Sequence, residues 1–307
     1  MLRSFLIASA ALLSASAFAA DLGVKKPTPV TPVSAACKET KGLPADAFGF
    51  ASGSDVADLG AWGVGLDNSY VAGYRGGRGY GYSSTLQASG SFIPCLEVGP
   101  YVFVSGGGFK PYGGLNATGT VLGGGIEMKY KLIGRATNGF GLTLAVNPNF
   151  GGYDGRNYFN GSSSAFGNSF RLLADAELVK GKLYGALNIE LFQSAFANNN
   201  GPIMGPQPNT SQFNVRGALS YAATDALFVG AEASYQVQKT GMWGNGNFRA
   251  AAAYVGPTFL WAINDKWTLN GTWAYQVAGT DKAGPGRHLG TSVMPLNQAR
   301  LKLGYAF

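Results

Sequence analysis

From Trp62 to the C-terminus the chain alternates apolar and polar positions in short runs, the two-residue period of strands with unlike faces. The clearest run is Trp267 to Ala278. There Trp267, Leu269, Gly271, Trp273, Tyr275 and Val277 alternate with Thr268, Asn270, Thr272, Ala274 and Gln276. The last segment repeats the pattern, with Leu301, Leu303, Tyr305 and Phe307 set against Arg300, Lys302, Gly304 and Ala306. The same test predicts twelve strands, over residues 61–72, 80–92, 95–105, 119–132, 138–150, 168–179, 181–193, 211–222, 225–237, 249–262, 266–278 and 296–307. Most are long enough to cross a bilayer as tilted strands of about 9–11 residues, while no apolar stretch reaches the ~18 residues of a membrane helix.

Connection lengths alternate too. Those around Pro94, 134–137, Lys180, 223–224 and 264–265 are short; those around 75–79, 106–118, 151–167, 194–210, 238–248 and 279–295 are longer and rich in Gly, Asn and Pro. Short turns at one end and long loops at the other are what a membrane-spanning barrel shows. The pattern therefore predicts an all-β fold, an antiparallel up-and-down transmembrane barrel of twelve strands over residues 61–307. Ten strands would follow if a weak one such as 61–72 dropped out with a partner, and fourteen if part of 40–60 paired into the wall.

With registers set by apolar residues alone, the charges fall on the other face. They are Asp67, Glu97, Glu127, Lys129, Lys131, Arg171, Asp175, Glu177, Lys182, Glu190, Arg216, Glu232, Arg300 and Lys302. A Lys or Arg facing lipid at mid-depth costs about 2–4 kcal/mol, so this face is expected to line the lumen. Aromatics form two bands: Trp62, Phe92, Tyr130, Tyr221, Trp261, Trp267 and Phe307 near the short turns, and Tyr70, Tyr80, Phe150, Tyr235 and Tyr275 near the loops. Such bands are the interfacial girdles of membrane proteins.

The chain carries 23 Lys and Arg against 16 Asp and Glu. The lumen set is balanced, so the excess falls on the loops, where Arg75, Arg78, Lys110, Arg156, Lys239, Arg249, Lys282 and Arg287 face only Asp154 and Asp281. A basic outer mouth suits lipopolysaccharide phosphates or the attraction of anionic solutes, and ordinary solvated loops would look the same. Nucleic acid is not an expected partner.

The N-terminus reads differently. Arg3, the apolar stretch from Phe5 to Leu13 and Ala17-Phe18-Ala19 make an export signal over residues 1–20. Residues 21–60 hold Pro27, Pro29, Pro32 and Pro44 without alternation, an irregular extension expected at the periplasmic end, where it would either enter the lumen as a partial plug, the favoured reading, or hang outside it. Cys37 and Cys95 are the two cysteines, and in an oxidising periplasm one disulfide is the natural reading, with two unrelated thiols as the alternative. The bridge would be worth about 3–4 kcal/mol in the chain-entropy model.

The ending Leu301-x-Leu303-x-Tyr305-x-Phe307 resembles the C-terminal signal of outer-membrane barrels, which implies recognition by the barrel-assembly machinery. The stretch Ala20-Asp21-Leu22-Gly23-Val24-Lys25-Lys26-Pro27 resembles the mature start of alphaproteobacterial surface barrels and rhizobial porins. Phe92-Ile93-Pro94-Cys95-Leu96-Glu97-Val98-Gly99 is similar to a Cys-bearing strand entry in the same porins, although those are longer and have closer cysteines. The resemblance implies the outer membrane of a Gram-negative, alphaproteobacterial cell.

Catalytic chemistry finds little support. A twelve-stranded outer-membrane phospholipase family uses Ser, His and Asn, with its His on a strand's outer face. The one histidine here, His288, falls in a loop. Asp175 and Glu177 share a face and would serve as an acid–base pair, but pairing with Lys182, Arg171 or Arg216 is the simpler expectation. The Gly106–Gly108 and Gly123–Gly125 runs lack the Lys-Ser/Thr ending and helix of a phosphate loop. No enzyme, metal or cofactor is expected. The expected function is a narrow passive channel for small hydrophilic solutes. The alternative is a non-conducting structural or surface barrel that braces the envelope or binds lipopolysaccharide. Paired lumen charges would favour the structural barrel, and segregated positive and negative walls the channel.

Overall fold

The computed structural model describes residues 47–74, 79–109, 117–156, 161–197, 209–281, 289 and 293–307. The export signal at 1–20, Cys37 and His288 lie outside them. The strands are β1 (Trp62–Gly73), β2 (Gly79–Ile93), β3 (Leu96–Phe109), β4 (Ala117–Ile133), β5 (Phe140–Arg156) and β6 (Gly161–Val179). They continue as β7 (Leu183–Ala197), β8 (Thr210–Ala222), β9 (Leu227–Thr240), β10 (Phe248–Ala262), β11 (Trp267–Asp281) and β12 (Asn297–Ala306). One helical turn, α1 (Arg135–Asn138), fills the connection between β4 and β5.

Each strand pairs antiparallel with its sequence neighbours, and β1 also pairs with β12 to close a twelve-stranded barrel. At that seam Leu66 faces Leu303 and Asp67 faces Lys302, so the two apolar faces and the two polar faces match. Closure removes the unpaired edges that a bilayer cannot solvate.

The strands run further toward the loop end than alternation alone indicates. The segment 151–167, read as a long loop, is mostly a continuation of the β5–β6 hairpin, with Gly151 opposite Ala165 and Gly155 opposite Gly161. Gly and Ser supply no apolar period there, but their backbones still pair. The expected loops at 106–118 and 194–210 likewise give up residues to β3, β4 and β7.

The outer face is apolar. Leu66, Val102, Ile126, Leu144, Leu187 and Leu219 are exposed between the girdles. Phe92, Tyr130, Tyr221, Trp261, Trp267 and Phe307 stand exposed near the short turns, and Tyr70, Tyr80, Phe150, Tyr235 and Tyr275 near the loops. Trp267 packs on Tyr305 at 4.8 Å and Tyr305 on Phe307 at 5.0 Å, which ties the C-terminal residues to the wall. Gly123 and Gly125 lie beneath the inward rings of Phe103 and Tyr101, where a Cβ would collide with the ring and with backbone oxygens of β5. That close approach gives the glycine run its structural reason. Cys95, at the tight β2–β3 turn, has φ +67°, a left-handed conformation uncommon outside Gly.

Candidate functional site

Inward-pointing residues of all twelve strands make the lumen, and their charges are paired. Lys129 of β4 reaches Glu97 at 3.1 Å and Glu127 at 3.2 Å. Arg171 of β6 spans β5 to bind Glu127, and Arg216 of β8 binds Glu190 of β7 at 3.2 Å. Across the seam Arg300 donates to both oxygens of Asp67. Lys302 and Arg300, from the β12 side of the bore, lie within electrostatic reach of Glu127 and Glu190 respectively. The charges thus form an interlocked belt rather than opposed positive and negative walls.

Two residues of the sequence-derived lumen set sit elsewhere. Glu177 and Lys182 are exposed at the β6–β7 turn, where Glu177 accepts the Gly181 N–H at 2.5 Å. Strand parity aims Glu177 inward, but it stands too near the end of β6 to be enclosed. Asp175 does not pair with Lys182, Arg171 or Arg216. Its partner is Arg135 of α1, at 2.6 Å, and this separation from the exposed Glu177 removes the acid–base pair. Burial alone would lower the pKa of Arg135, but Asp55 and Asp175 outweigh it and raise it. Among the described residues no group of three His, Cys, Asp or Glu is placed to hold a metal ion.

Residues 47–58, within the stretch expected as a periplasmic extension, run inside the barrel near its short-turn end. They are held there by side chains from strand after strand. Glu232 of β9 accepts the N–H groups of Gly49, Phe50 and Ala51 at 2.6, 2.7 and 3.0 Å. Asn188 of β7 accepts from Ser52 N–H at 2.6 Å and donates to Ser52 O at 2.8 Å. Asp175 accepts from the Ser54 N–H and hydroxyl, while Thr143 of β5 donates to Ser54 O. Asp55 pairs with Lys131 and Arg135. Glu97 of β3 accepts the Ala57 N–H at 2.7 Å. On the far side Asn270 donates to Phe48 O and Arg300 to Gly49 O.

A segment without secondary structure leaves its peptide groups unpaired, and burying such a group costs about 1–3 kcal/mol. The wall side chains remove that cost, with ionised carboxylates making the stronger, charge-assisted bonds. Apolar packing adds to this. Phe48, fully buried, sits among the inward-facing Tyr184, Ala186, Ala218, Phe228 and Leu260. The fit is close enough that a Cβ at Gly49 would strike Thr272 and Thr258, and one at Gly141 would strike Ser54.

Counting this segment but not its exposed Asp58, seven acidic groups (Asp55, Asp67, Glu97, Glu127, Asp175, Glu190 and Glu232) face seven basic ones (Lys129, Lys131, Arg135, Arg171, Arg216, Arg300 and Lys302) in the described lumen. Toward the loop end the wall turns neutral. Gln212 donates to Gln236 at 3.3 Å, and Gln236 meets Gln298 at 3.4 Å. Here too chain enters the bore, since Met294 is buried against Ala250, Ala252 and Tyr254, and Tyr254 donates to Pro295 O at 2.8 Å.

Of the predicted basic mouth, Lys239 and Arg249 have described side chains, and Arg156 ends β5. Arg75, Arg78, Lys110, Lys282 and Arg287 lie outside the described residues. The proposed bridge has one end, Cys95, at the β2–β3 turn, and the other outside the described residues. Sequence reasoning missed Asp55, Arg135, Thr143, Asn188 and Asn270. For Arg135 a signal existed, a lone basic residue in a short turn, but its partners lie on β6 and on the lumen segment.

A family model described as a family of unknown function, DUF6662, matches residues 45–307. No curated protein matches. Among solved structures, an outer membrane channel from Pseudomonas putida F1 is similar with a TM-score of 0.57 and 10% identity, over 83% of this chain and 98% of that one. The β-domain of the Bordetella autotransporter BrkA is similar with a TM-score of 0.51 and 11% identity, over 81% of this chain and all of that one. At these identities the likeness is one of fold, that of outer-membrane barrels.

Proposed function

The chain belongs to DUF6662, a family of unknown function, and we propose that it is an outer-membrane channel for small hydrophilic solutes, closed at rest by its own residues 47–58. The observation that carries this is how the segment is held. Its peptide groups are bound by side chains of the wall, not by a strand ladder. A thirteenth strand or an apolar plug would be permanent, whereas side-chain bonds to a single-stranded segment exchange readily with water once the segment moves. The apolar outer face and twin girdles support placement in a bilayer. Partners on this reading are outer-membrane lipid, the barrel-assembly machinery and the solute.

A second reading has a specific observation behind it. The interlocked charge belt is what a non-conducting structural barrel would have. Planar-bilayer recording of the refolded mature protein separates the two. Discrete openings of the intact chain, replaced by steady conductance in a variant lacking 47–57, are expected of a gated channel. An intact chain that stays silent at every voltage while the deletion conducts would refute the channel and leave the structural barrel. A Cys37–Cys95 bridge, proposed as the tether of the segment at the short-turn end, is supported by the position of Cys95 and by the absence of free cysteine among the described residues.

A further inference from the structure

The outer wall of β6–β9 holds polar groups that a lipid-facing surface has no use for. Asn168, Gln193, Ser211 and Lys239 are register neighbours across the four strands. Two residues further from the loop end, the same face carries Phe170, Leu191, Phe213 and Val237, with Phe170 and Phe213 exposed to the outside. The polar row therefore faces outward, two residues beyond Phe170 and Phe213 and, at its β6 end, two residues short of Phe166 and Phe150. Yet Gln193 and Ser211 are only 1% and 3% exposed.

The cover is the β9–β10 connection. Gly241 and Gly244, at φ +81° and +70°, turn it back over the wall. Its base is closed by the Gly241 N–H on Asn209 O at 2.7 Å and the Thr240 N–H on Asn247 O at 2.9 Å. Having passed over β8 and β7, it stacks Trp243 on Phe170 of β6, with ring centroids 6.1 Å apart. Under this flap Asn168 Oδ1, Gln193 Nε2 and Ser211 Oγ have no hydrogen-bond partner among the described residues. Buried polar atoms are nearly always paired, so three orphans in one row call for a ligand.

We propose that this row is a binding site for the phosphorylated headgroup of a lipid in the leaflet at the loop end, which in an outer membrane is lipopolysaccharide. With the flap lifted from the row, phosphate oxygens accept from the Lys239 ammonium, the Gln193 amide and the Ser211 hydroxyl, and Asn168 Oδ1 accepts from a headgroup hydroxyl. Depth agrees, because the row lies among the loop-end aromatics, with Phe170 and Phe213 on one side of it and Phe150 and Phe166 on the other, at the interfacial level. The proposal rests on the outer-membrane reading but not on conductance.

The test is lipid binding to the refolded mature protein in detergent, followed by native mass spectrometry and by fluorescence referenced to Trp243→Phe. The probes are bisphosphorylated lipid A, its dephosphorylated form and inorganic phosphate. Saturable binding of lipid A is expected, weakened about 10- to 100-fold by Lys239→Gln, the loss of one charge-assisted bond. Gln193→Leu combined with Ser211→Val weakens it further, Lys239→Arg largely retains it, and dephosphorylated lipid A binds less. Equal affinity in wild type and in heat-modifiable, folded variants would overturn the proposal. Inorganic phosphate competing as well as lipid A would reduce the site to a simple anion site and overturn the lipid assignment. Conductance of the same variants stays that of wild type, so a failed channel reading and a failed lipid site give different results.

Discussion

Replacing Glu232 should open the lumen. Its two carboxylate oxygens accept three consecutive N–H groups, with Gly49 and Ala51 on Oε1 and Phe50 on Oε2. In Glu232→Gln the amide oxygen can still accept from Gly49 and Ala51, but the NH₂ group faces the Phe50 N–H, donor against donor. One charge-assisted bond is lost, worth about 1.5–3 kcal/mol. Because the bond exists only while the segment is seated, that energy shifts the closed–open equilibrium by roughly 10- to 100-fold. Glu232→Ala removes all three acceptors and should shift it further, although Asn188, Asp175 and Glu97 still hold the segment. The assay is open probability in single-channel records at fixed voltage, with heat-modifiable gel mobility as the check on folding. Expected is a graded series, wild type below Glu232→Gln below Glu232→Ala, at unchanged unitary conductance. If both variants gate like wild type while deletion of 47–57 conducts, Glu232 is not the latch and the argument from its three bonds fails.

Other perturbations act on the same frame. Gly141→Ala places a Cβ against Ser54 and the Asp175 carboxylate, so it should raise opening frequency without lowering barrel stability in denaturant titration. Arg300→Ala leaves Asp67 unpaired at the β1–β12 seam. With side chains 21% and 24% exposed, the expected loss falls at or below the low end of the ~3–5 kcal/mol for breaking a buried pair, read as a lower unfolding midpoint on semi-native gels. Leu187→Arg, at a half-exposed site on the lipid face, should cost about 2–4 kcal/mol and cut folding yield into vesicles, whereas Arg at inward Gln212 should not. Cys37→Ser should slow migration on non-reducing gels relative to wild type if the bridge to Cys95 forms; identical mobility would remove the tether.

What the sequence reveals is whatever period and charge can encode. A lipid-facing strand must present an apolar residue at every second position, so all twelve strands, their order and both girdles are legible. The inward direction of Glu97, Asp175 and Glu232 is legible for the same reason. Their partners are not. Glu232 binds Gly49–Ala51 from 181 to 183 residues away, through backbone N–H groups that every residue possesses, so no side-chain type marks the contact. Residues 47–58 carry no period because they pack against unlike walls in turn, Phe48 in an apolar pocket and Asp55 among cations. The β9–β10 flap hides similarly, since Gly241 and Gly244 signal a turn but not the side on which it folds.

These contacts also separate two kinds of closure. A lumen closed by chain, as residues 47–58 close it near the turns, would need no charge on the wall. An apolar fill would be cheaper, because each buried ion brings a desolvation cost that its partner only offsets. Here three wall carboxylates, Glu97, Asp175 and Glu232, point at backbone amides of the segment. With the segment displaced, those carboxylates would line a hydrated bore, whereas apolar side chains in their place would expose a dewetted one. The wall chemistry thus suits both states, occupied and open, and this carries the argument for a gate over a permanent plug.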